Sequence, residues 1–191
     1  MMIGARWLGA CPTLSRDFGA WHIDEEHVTR VEEFTFVRNL LLESTCRTVL
    51  DAGTGWALGA HMLPYILGDC GLTVYAVDID PATLQMPPHK NVFRLAGDIT
   101  NLVYPDRCVD AWVCVSVLEH MEPDAVRRAI HEGFRVLRPG GLAILTMDES
   151  GPEGLTAFLH ENGFLVGNFD ATVPEAPLTP QVGVVVGVKP L

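Results

Sequence analysis

The stretch VLDAGTGWAL, residues 49–58, decides the fold of this 191-residue chain. Its short apolar run stops at Gly53 and Gly55 and a helical pattern follows, which is typical of a buried strand that turns sharply into a helix. Open α/β sheets bind ligands at the carboxyl ends of such strands, where glycines let the backbone approach a ligand closely. Residues 49–58 therefore predict a binding loop, with a purely structural tight turn as the alternative.

Strand and helix patterns alternate along the rest of the chain, which predicts a parallel α/β sheet. The last two predicted strands have no helix between them, so we expect them to pair antiparallel at one edge. Pro64 is expected to kink or shorten the second helix, and a helix between residues 80 and 91 is expected to be truncated or absent. The predicted strands are 48–51, 72–77, 91–96, 109–117, 142–147, 164–169 and 182–188, and the predicted helices are 24–41, 57–67, 123–137 and 155–162.

The composition excludes several classes of protein. With 48% hydrophobic and 19% charged residues, the chain is not a disordered protein. A net charge of −11 argues against broad contact with nucleic-acid phosphates or anionic membranes. The longest apolar stretch has about eight residues, far fewer than the roughly 20 that a membrane-spanning helix needs. We therefore expect neither a nucleic-acid partner nor a membrane-bound protein.

The cysteines and histidines show no pattern of a metal site. The five cysteines are scattered and include no Cys-x-x-Cys pair, and no His-x-x-x-His occurs among the seven histidines. We expect reduced thiols in a cytoplasmic protein, without a disulfide framework and without a bound metal.

The glycine loop differs from a dinucleotide-binding fingerprint at two points. That fingerprint, Gly-x-Gly-x-x-Gly/Ala, requires a small residue where this chain has Leu58. It also does not call for the acidic residue, Asp51, that precedes the first glycine here. A nicotinamide- or flavin-dependent oxidoreductase is therefore disfavoured.

Asp51-x-Gly53-x-Gly55 is similar to the first motif of class I S-adenosylmethionine-dependent methyltransferases. Four later segments resemble that family's motifs in the same order, and the likeness covers roughly residues 45–190. A small methyltransferase domain of the SVLEH…RVLRPGG type is the most similar. The four segments are VYAVDID (74–80), LAGDITNL (95–102), VDAWVCVSVLEHM (109–121) and FRVLRPGGLAILTM (134–147).

The resemblance implies a fold, a cofactor and a set of binding residues. The fold would be α/β, with a seven-stranded, mostly parallel Rossmann-like sheet, helices on both faces and a C-terminal antiparallel hairpin. The cofactor would be S-adenosylmethionine, leaving S-adenosylhomocysteine as product. Asp78 would hold the ribose hydroxyls and Asp98 the adenine amino group, although either aspartate is also a common turn or helix-capping residue. The implied cofactor-binding residues are Asp51, Ala52, Gly53, Thr54, Gly55, Asp78, Ile79, Gly97, Asp98, Ile99 and Ser116.

The resemblance divides the chain into an N-terminal arm and helix, 1–44, and a methyltransferase domain, 45–191. The segment 148–154, where the family often inserts a substrate-binding element, is short here. Residues 1–44 are therefore the candidate lid. Trp56 is unusually bulky for the glycine loop, and it would either pack over the cofactor or cover the edge of the sheet.

The implied function is transfer of the methyl group to a small-molecule acceptor by a monomer or homodimer. The alternative is a non-catalytic S-adenosylmethionine-binding subunit with a regulatory or partner role. His120 is the candidate general base, because it follows the fourth strand and the ordinary pKa of histidine, near 6.5, suits proton removal at cellular pH. The other interpretation of His120 is a hydrogen bond to the loop that follows it.

Overall fold

The computed structural model describes residues 28–56, 62–147, 154–167 and 183–191. The predicted arm before residue 28, the start of the second predicted helix, the 148–153 segment and the 171–181 loop lie outside this part of the chain. The helices are α1 (Val28–Glu43), α2 (Leu63–Asp69), α3 (Pro123–Val136) and α4 (Leu155–Glu161), and the strands are β1 (Thr48–Ala52), β2 (Thr73–Asp78), β3 (Val92–Ala96), β4 (Val109–Val115), β5 (Leu137–Met147), β6 (Leu165–Gly167) and β7 (Gly183–Val188).

The seven strands form one sheet in the order β3-β2-β1-β4-β5-β7-β6. The pairs β1–β2, β2–β3, β1–β4 and β4–β5 are parallel, whereas β7 is antiparallel to both β5 and β6. This arrangement confirms the predicted fold and the antiparallel pairing of the last two strands. The strand order reverses between β1 and β4, and ligands of open α/β sheets bind at such a switch point.

Helices cover both faces of the sheet, as predicted. Neighbouring residues of β4 point to opposite faces, so Trp112 belongs to one apolar core and Val113 to the other, and both are fully buried. α3 and α4 pack on the Trp112 side, while α1 and α2 pack on the Val113 side. A Cβ at Gly133 of α3 would lie 2.3 Å from the Trp112 ring, so glycine is needed there for α3 to approach the sheet.

Two local features differ from the simple sequence expectations. The expected kink at Pro64 does not occur, whereas the expected shortening does: α2 begins at Leu63 with Pro64 in its first turn, where a missing N–H costs no intrahelical hydrogen bond. β5 begins at Leu137 rather than at residue 142, because Leu137 already pairs with Val109 before an irregularity in the register. The predicted loss of the helix between residues 80 and 91 is confirmed, since only the short 3₁₀ helix Pro81–Gln85 forms there.

No described helix is long and apolar enough to cross a membrane. Within the described ranges, Cys46, Cys70, Cys108 and Cys114 are free thiols, and no group of three or more potential metal ligands occurs.

Candidate functional site

A cavity of 190 Å³ opens at the carboxyl ends of β1 and β4, at the switch point of the sheet. Its walls come from four elements: β1 with the glycine loop, β4, α1 and the start of α2. The lining residues are Arg30, Phe34, Asp51, Gly53, Thr54, Gly55, Trp56, Met62, Leu63, Val115 and Ser116.

The glycine loop is tied to the end of β2 by its own backbone. The amides of Gly53 and Thr54 both donate to the carbonyl of Val77, at 2.8 and 3.0 Å. Gly53 and Gly55 have positive φ angles of 79° and 67°, in the left-handed region that glycine adopts most readily. A Cβ at Gly53 would lie 2.4 Å from Val117, so the space beside this glycine is filled by protein rather than left for a ligand.

Asp78 ends β2 and is held in one orientation by two backbone amides. Its Oδ2 accepts from the amide of Gly55 at 2.7 Å, and its Oδ1 accepts from the amide of Asp80 at 2.9 Å. Each carboxylate oxygen has a second acceptor site, so both oxygens can still accept from a ligand hydroxyl. The helix-capping role falls to Asp80 instead, because its Oδ1 accepts from the amide of Ala82.

Four further predicted cofactor-binding residues, Ile79, Gly97, Asp98 and Ile99, follow β2 and β3. The amide of Gly97 donates to the backbone carbonyl of Asp78 at 2.8 Å. Asp98 is exposed, and its Oδ1 accepts from the amide of Thr100 at 2.8 Å, as in an ordinary turn. Ile99 is buried, whereas Ile79 is 75% exposed and offers an apolar surface at the sheet edge.

Asp51 is a buried titratable group among the described residues that line the cavity. It is 2% exposed, and its Oδ2 has no hydrogen-bond partner among the described residues. Burial raises the pKa of Asp51 to about 7, and the negative charge of Asp78 acts in the same direction. Ala52, another predicted cofactor-binding residue, follows Asp51 in the chain. It is fully buried and does not line the cavity.

Two functional candidates on α1, Arg30 and Glu33, escaped the sequence analysis. Glu33 is 1% exposed, and its Oε1 accepts from the hydroxyls of Ser116, at 2.7 Å, and Thr146, at 2.5 Å. Its Oε2 accepts from Nη1 of Arg30 at 2.6 Å. The position of Glu33 in the helical pattern could have identified it. It lies four residues before Val37, on the apolar stripe of the helix, where an acidic side chain needs hydrogen-bonding partners.

Trp56 and His120 occupy different surroundings. Trp56 lines the cavity, is 50% exposed, and donates from Nε1 to Asp80 Oδ2 at 2.8 Å. It therefore bridges the glycine loop and the loop after β2. His120 ends the short 3₁₀ helix after β4, is exposed, and is not among the residues that line the cavity. Its amide donates to the carbonyl of Val117 at 3.1 Å.

A family model described as a methyltransferase domain matches residues 50–145. The chain belongs to this methyltransferase family. Its membership confirms the predicted class I resemblance, the enzyme class and S-adenosylmethionine as the cofactor of the domain. The match begins at Leu50 and ends at Leu145, and it therefore contains the glycine loop, Asp78 and Ser116.

Relatives with known names share only part of their length with this chain. A probable S-adenosylmethionine-dependent methyltransferase of Mycolicibacterium smegmatis is 34% identical over 102 residues, which are 52% of this chain and 37% of the relative. A tRNA (carboxymethyluridine(34)-5-O)-methyltransferase of Arabidopsis thaliana is 30% identical over 102 residues, 52% of this chain and 23% of that protein. The chain thus spans well under half of these curated relatives.

A solved structure with the same fold carries a ligand. The 1,6-didemethyltoxoflavin-N1-methyltransferase of Burkholderia thailandensis, with bound 1,6-didemethyltoxoflavin and S-adenosylhomocysteine, aligns with a TM-score of 0.64 at 19% identity. The alignment covers 83% of this chain and 77% of that one. At this level of identity the likeness establishes the fold alone.

Proposed function

We propose that this protein binds S-adenosylmethionine along the carboxyl edge of β3, β2 and β1 and transfers its methyl group to a small-molecule acceptor. The observation that carries the proposal is the Asp78 carboxylate, which two backbone amides aim at the sheet edge beside the glycine loop. A carboxylate fixed in this way suits the two vicinal hydroxyls of a ribose, because it accepts both hydrogen bonds without reorienting.

The cofactor would lie across the ends of three neighbouring strands. With the ribose on Asp78, the adenine would extend from β2 toward β3. Ile79, after β2, offers an exposed apolar side chain, and Asp98, after β3, has a carboxylate that can accept from the adenine amino group. The remaining part then passes over Gly53 and Gly55 into the cavity between β1 and β4. This placement uses the sequence-predicted residues that follow β1, β2 and β3, together with Ser116 after β4.

The bound cofactor supplies an activated methyl group, so the chain mainly has to orient the acceptor and exclude water. Trp56 and Phe34 give the cavity two aromatic walls, and the hydroxyl of Ser116 is engaged by Glu33. His120 remains the candidate base, because it follows β4 at the carboxyl edge of the sheet. The arm and helix, 1–44, remain the proposed lid, of which α1 contributes Arg30 and Phe34 to the cavity.

The charge of the chain favours a small acceptor over a nucleic acid. Its net charge of −11 repels a phosphate backbone, which tRNA methyltransferases must hold. The Arabidopsis relative acts on tRNA by its name, but its shared segment is 23% of its length. The Burkholderia enzyme, 77% of which aligns with this chain, is named for a small heterocycle, 1,6-didemethyltoxoflavin.

Binding of S-adenosylhomocysteine by calorimetry tests the cofactor site. Asp78→Ala should weaken that binding by about 1.5–3 kcal/mol, which is about 10- to 150-fold, because hydrogen bonds to a charged acceptor are lost. The matched control is Asp69→Ala, since Asp69 is an exposed aspartate whose carboxylate pairs with His89 away from the cavity. Equal affinity of a folded Asp78→Ala variant and the control would refute the ribose assignment.

An acceptor screen tests the reaction itself. The protein and methyl-labelled S-adenosylmethionine are incubated separately with a small-molecule extract, bulk tRNA and an acyl-carrier-protein fraction. Label that enters the small-molecule pool supports the proposal. Label in tRNA would overturn the small-molecule assignment, and cofactor binding without transfer in any pool would favour the non-catalytic subunit.

A further inference from the structure

Trp56 joins the two loops that flank the proposed ribose site. It follows Gly55 in the loop after β1, and its indole N–H donates to Oδ2 of Asp80, in the loop after β2, at 2.8 Å. Trp56 is 50% exposed, so it gains less from the hydrophobic effect than a core tryptophan would. The hydrogen bond to Asp80 is therefore a main contact that sets the orientation of this ring.

Three hydrogen bonds and one peptide link close into a ring through the Asp78 carboxylate. Gly55 donates its amide to Oδ2 of Asp78, and Asp80 donates its amide to Oδ1. Trp56 is the residue after Gly55, and its indole N–H donates to the side chain of Asp80. The two amides that hold Asp78 thus lie at the two ends of the Trp56–Asp80 hydrogen bond. This bond therefore fixes the spacing between the two donors.

The charges of the loop after β2 make the indole donor necessary. Asp80 lies two residues after Asp78, and two carboxylates in one short loop repel each other unless donors fix them apart. Oδ1 of Asp80 accepts from the amide of Ala82 at 2.9 Å, and Oδ2 accepts from Trp56. Without the indole N–H, the Asp80 carboxylate would lose one of these donors. The amide that Asp80 gives to Asp78 would then be less firmly placed.

We infer that Trp56 is a positioning residue whose hydrogen bond to Asp80 places the two amides that orient Asp78 toward the ribose hydroxyls. The inference rests on the proposed cofactor site. It goes beyond that proposal because it gives the bulky residue of the glycine loop a part in ribose recognition. Neither packing over the cofactor nor covering the edge of the sheet supplies that role.

Two ligands that differ only in their ribose hydroxyls isolate this role. S-adenosylhomocysteine and its dideoxyribose analogue, which lacks both hydroxyls, are titrated by calorimetry into the wild-type protein and the Trp56→Phe variant. Phenylalanine keeps an aromatic ring in the cavity wall but has no N–H donor. Trp56→Phe should weaken S-adenosylhomocysteine by about 3- to 10-fold, the effect of one hydrogen bond, and leave the dideoxyribose analogue within about twofold.

Asp80→Asn breaks the same hydrogen bond from its other end and guards against misfolding of the Trp56 variant. Asparagine can still accept from the amide of Ala82, but its remaining side-chain group is an NH₂ that cannot accept from Trp56. The lost charge acts on both ligands alike and cancels in the preference for S-adenosylhomocysteine over the analogue. That preference should fall as in Trp56→Phe, and the double variant should lose no more. Additive losses would refute a shared role.

Tyr65→Phe is the matched control. The Tyr65 hydroxyl donates to the carbonyl of Pro87 at 2.6 Å, so this variant also removes one aromatic hydrogen bond to the segment between β2 and β3, but outside the cavity lining. Its preference between the ligands should equal that of the wild type; an equal fall would refute a specific role of Trp56.

The wild-type protein separates failure of the inference from failure of the proposed function. A wild type that binds both ligands equally, or binds neither, would remove the ribose assignment on which the inference rests. A wild type that prefers S-adenosylhomocysteine, together with a Trp56→Phe variant that keeps this preference in full, would overturn the inference alone. Equal weakening of both ligands would do the same, because it would make Trp56 a merely structural residue of the loop.

Discussion

At the scale of single residues, the Asp51 carboxyl is a deeply buried titratable group in the wall of the cavity. It is 2% exposed, and burial raises its pKa to about 7, from an ordinary value of 3.8. Between these two values the folded protein keeps the proton while the unfolded chain loses it. Unfolding then releases a proton, so stability falls as the pH rises from about 4 to about 7 and changes no further above that range.

Asp51→Asn should remove this dependence, because the amide does not ionise. The stability of the variant relative to wild type should therefore increase with pH across the same window, by at most about 4 kcal/mol. Urea unfolding at several pH values measures the free energy of unfolding of both proteins. The contributions of the other titrating groups are common to both and cancel in the difference between the two free energies. If the free energies of unfolding of variant and wild type changed in parallel between about pH 4 and pH 7, Asp51 would be ionised in the folded protein over that range, which would contradict the prediction.

At the scale of elements, the glycine loop is stiffened by contacts that a side chain would disrupt. Gly53→Ala should lose about 1–2 kcal/mol for its positive φ angle and about 1–3 kcal/mol more for the clash with Val117. Gly71→Ala is the matched control, because Gly71 has a φ angle of 88° and no atom within 4 Å of its Cβ position. Denaturant unfolding compares the two, and only Gly53→Ala should also weaken S-adenosylhomocysteine. Equal stability losses would contradict the Val117 contact.

The elements themselves were largely predictable, because apolar runs and glycine stops are local signals. The apolar run before Gly53 predicts β1 directly, and β2 ends just before a proline-containing turn. The position of β7 between β5 and β6 was harder to predict from the sequence. The pairing of β6 with β7 does not specify which of these two strands lies next to β5. The start of β5 at Leu137 likewise depends on its pairing with Val109, a contact between distant residues.

At the scale of the whole molecule, the sheet brings together residues that are far apart in the chain. Asp51, Gly55 and Ser116 meet at one cavity because β1 and β4 are adjacent and parallel, and motif order already predicted that meeting. The contribution of α1 could not be predicted in the same way. Glu33 and Thr146 are 113 positions apart, and only the packed fold shows that this acidic residue on an apolar stripe has two hydroxyl partners, Thr146 on β5 and Ser116 just after β4.

The same whole-molecule geometry governs the test of His120, which is at the carboxyl edge of the sheet but outside the cavity wall. If the lid proposed for residues 1–44 brings an acceptor over this edge, His120→Asn should lower turnover by about 10²–10⁴-fold and leave S-adenosylhomocysteine affinity nearly unchanged, because a general base acts on the acceptor alone. The pH dependence of turnover should also change. Once an acceptor is known, steady-state rates and calorimetry on both proteins separate these effects. A variant that keeps most of its turnover would show that methyl transfer here depends on positioning, with the base role excluded for His120.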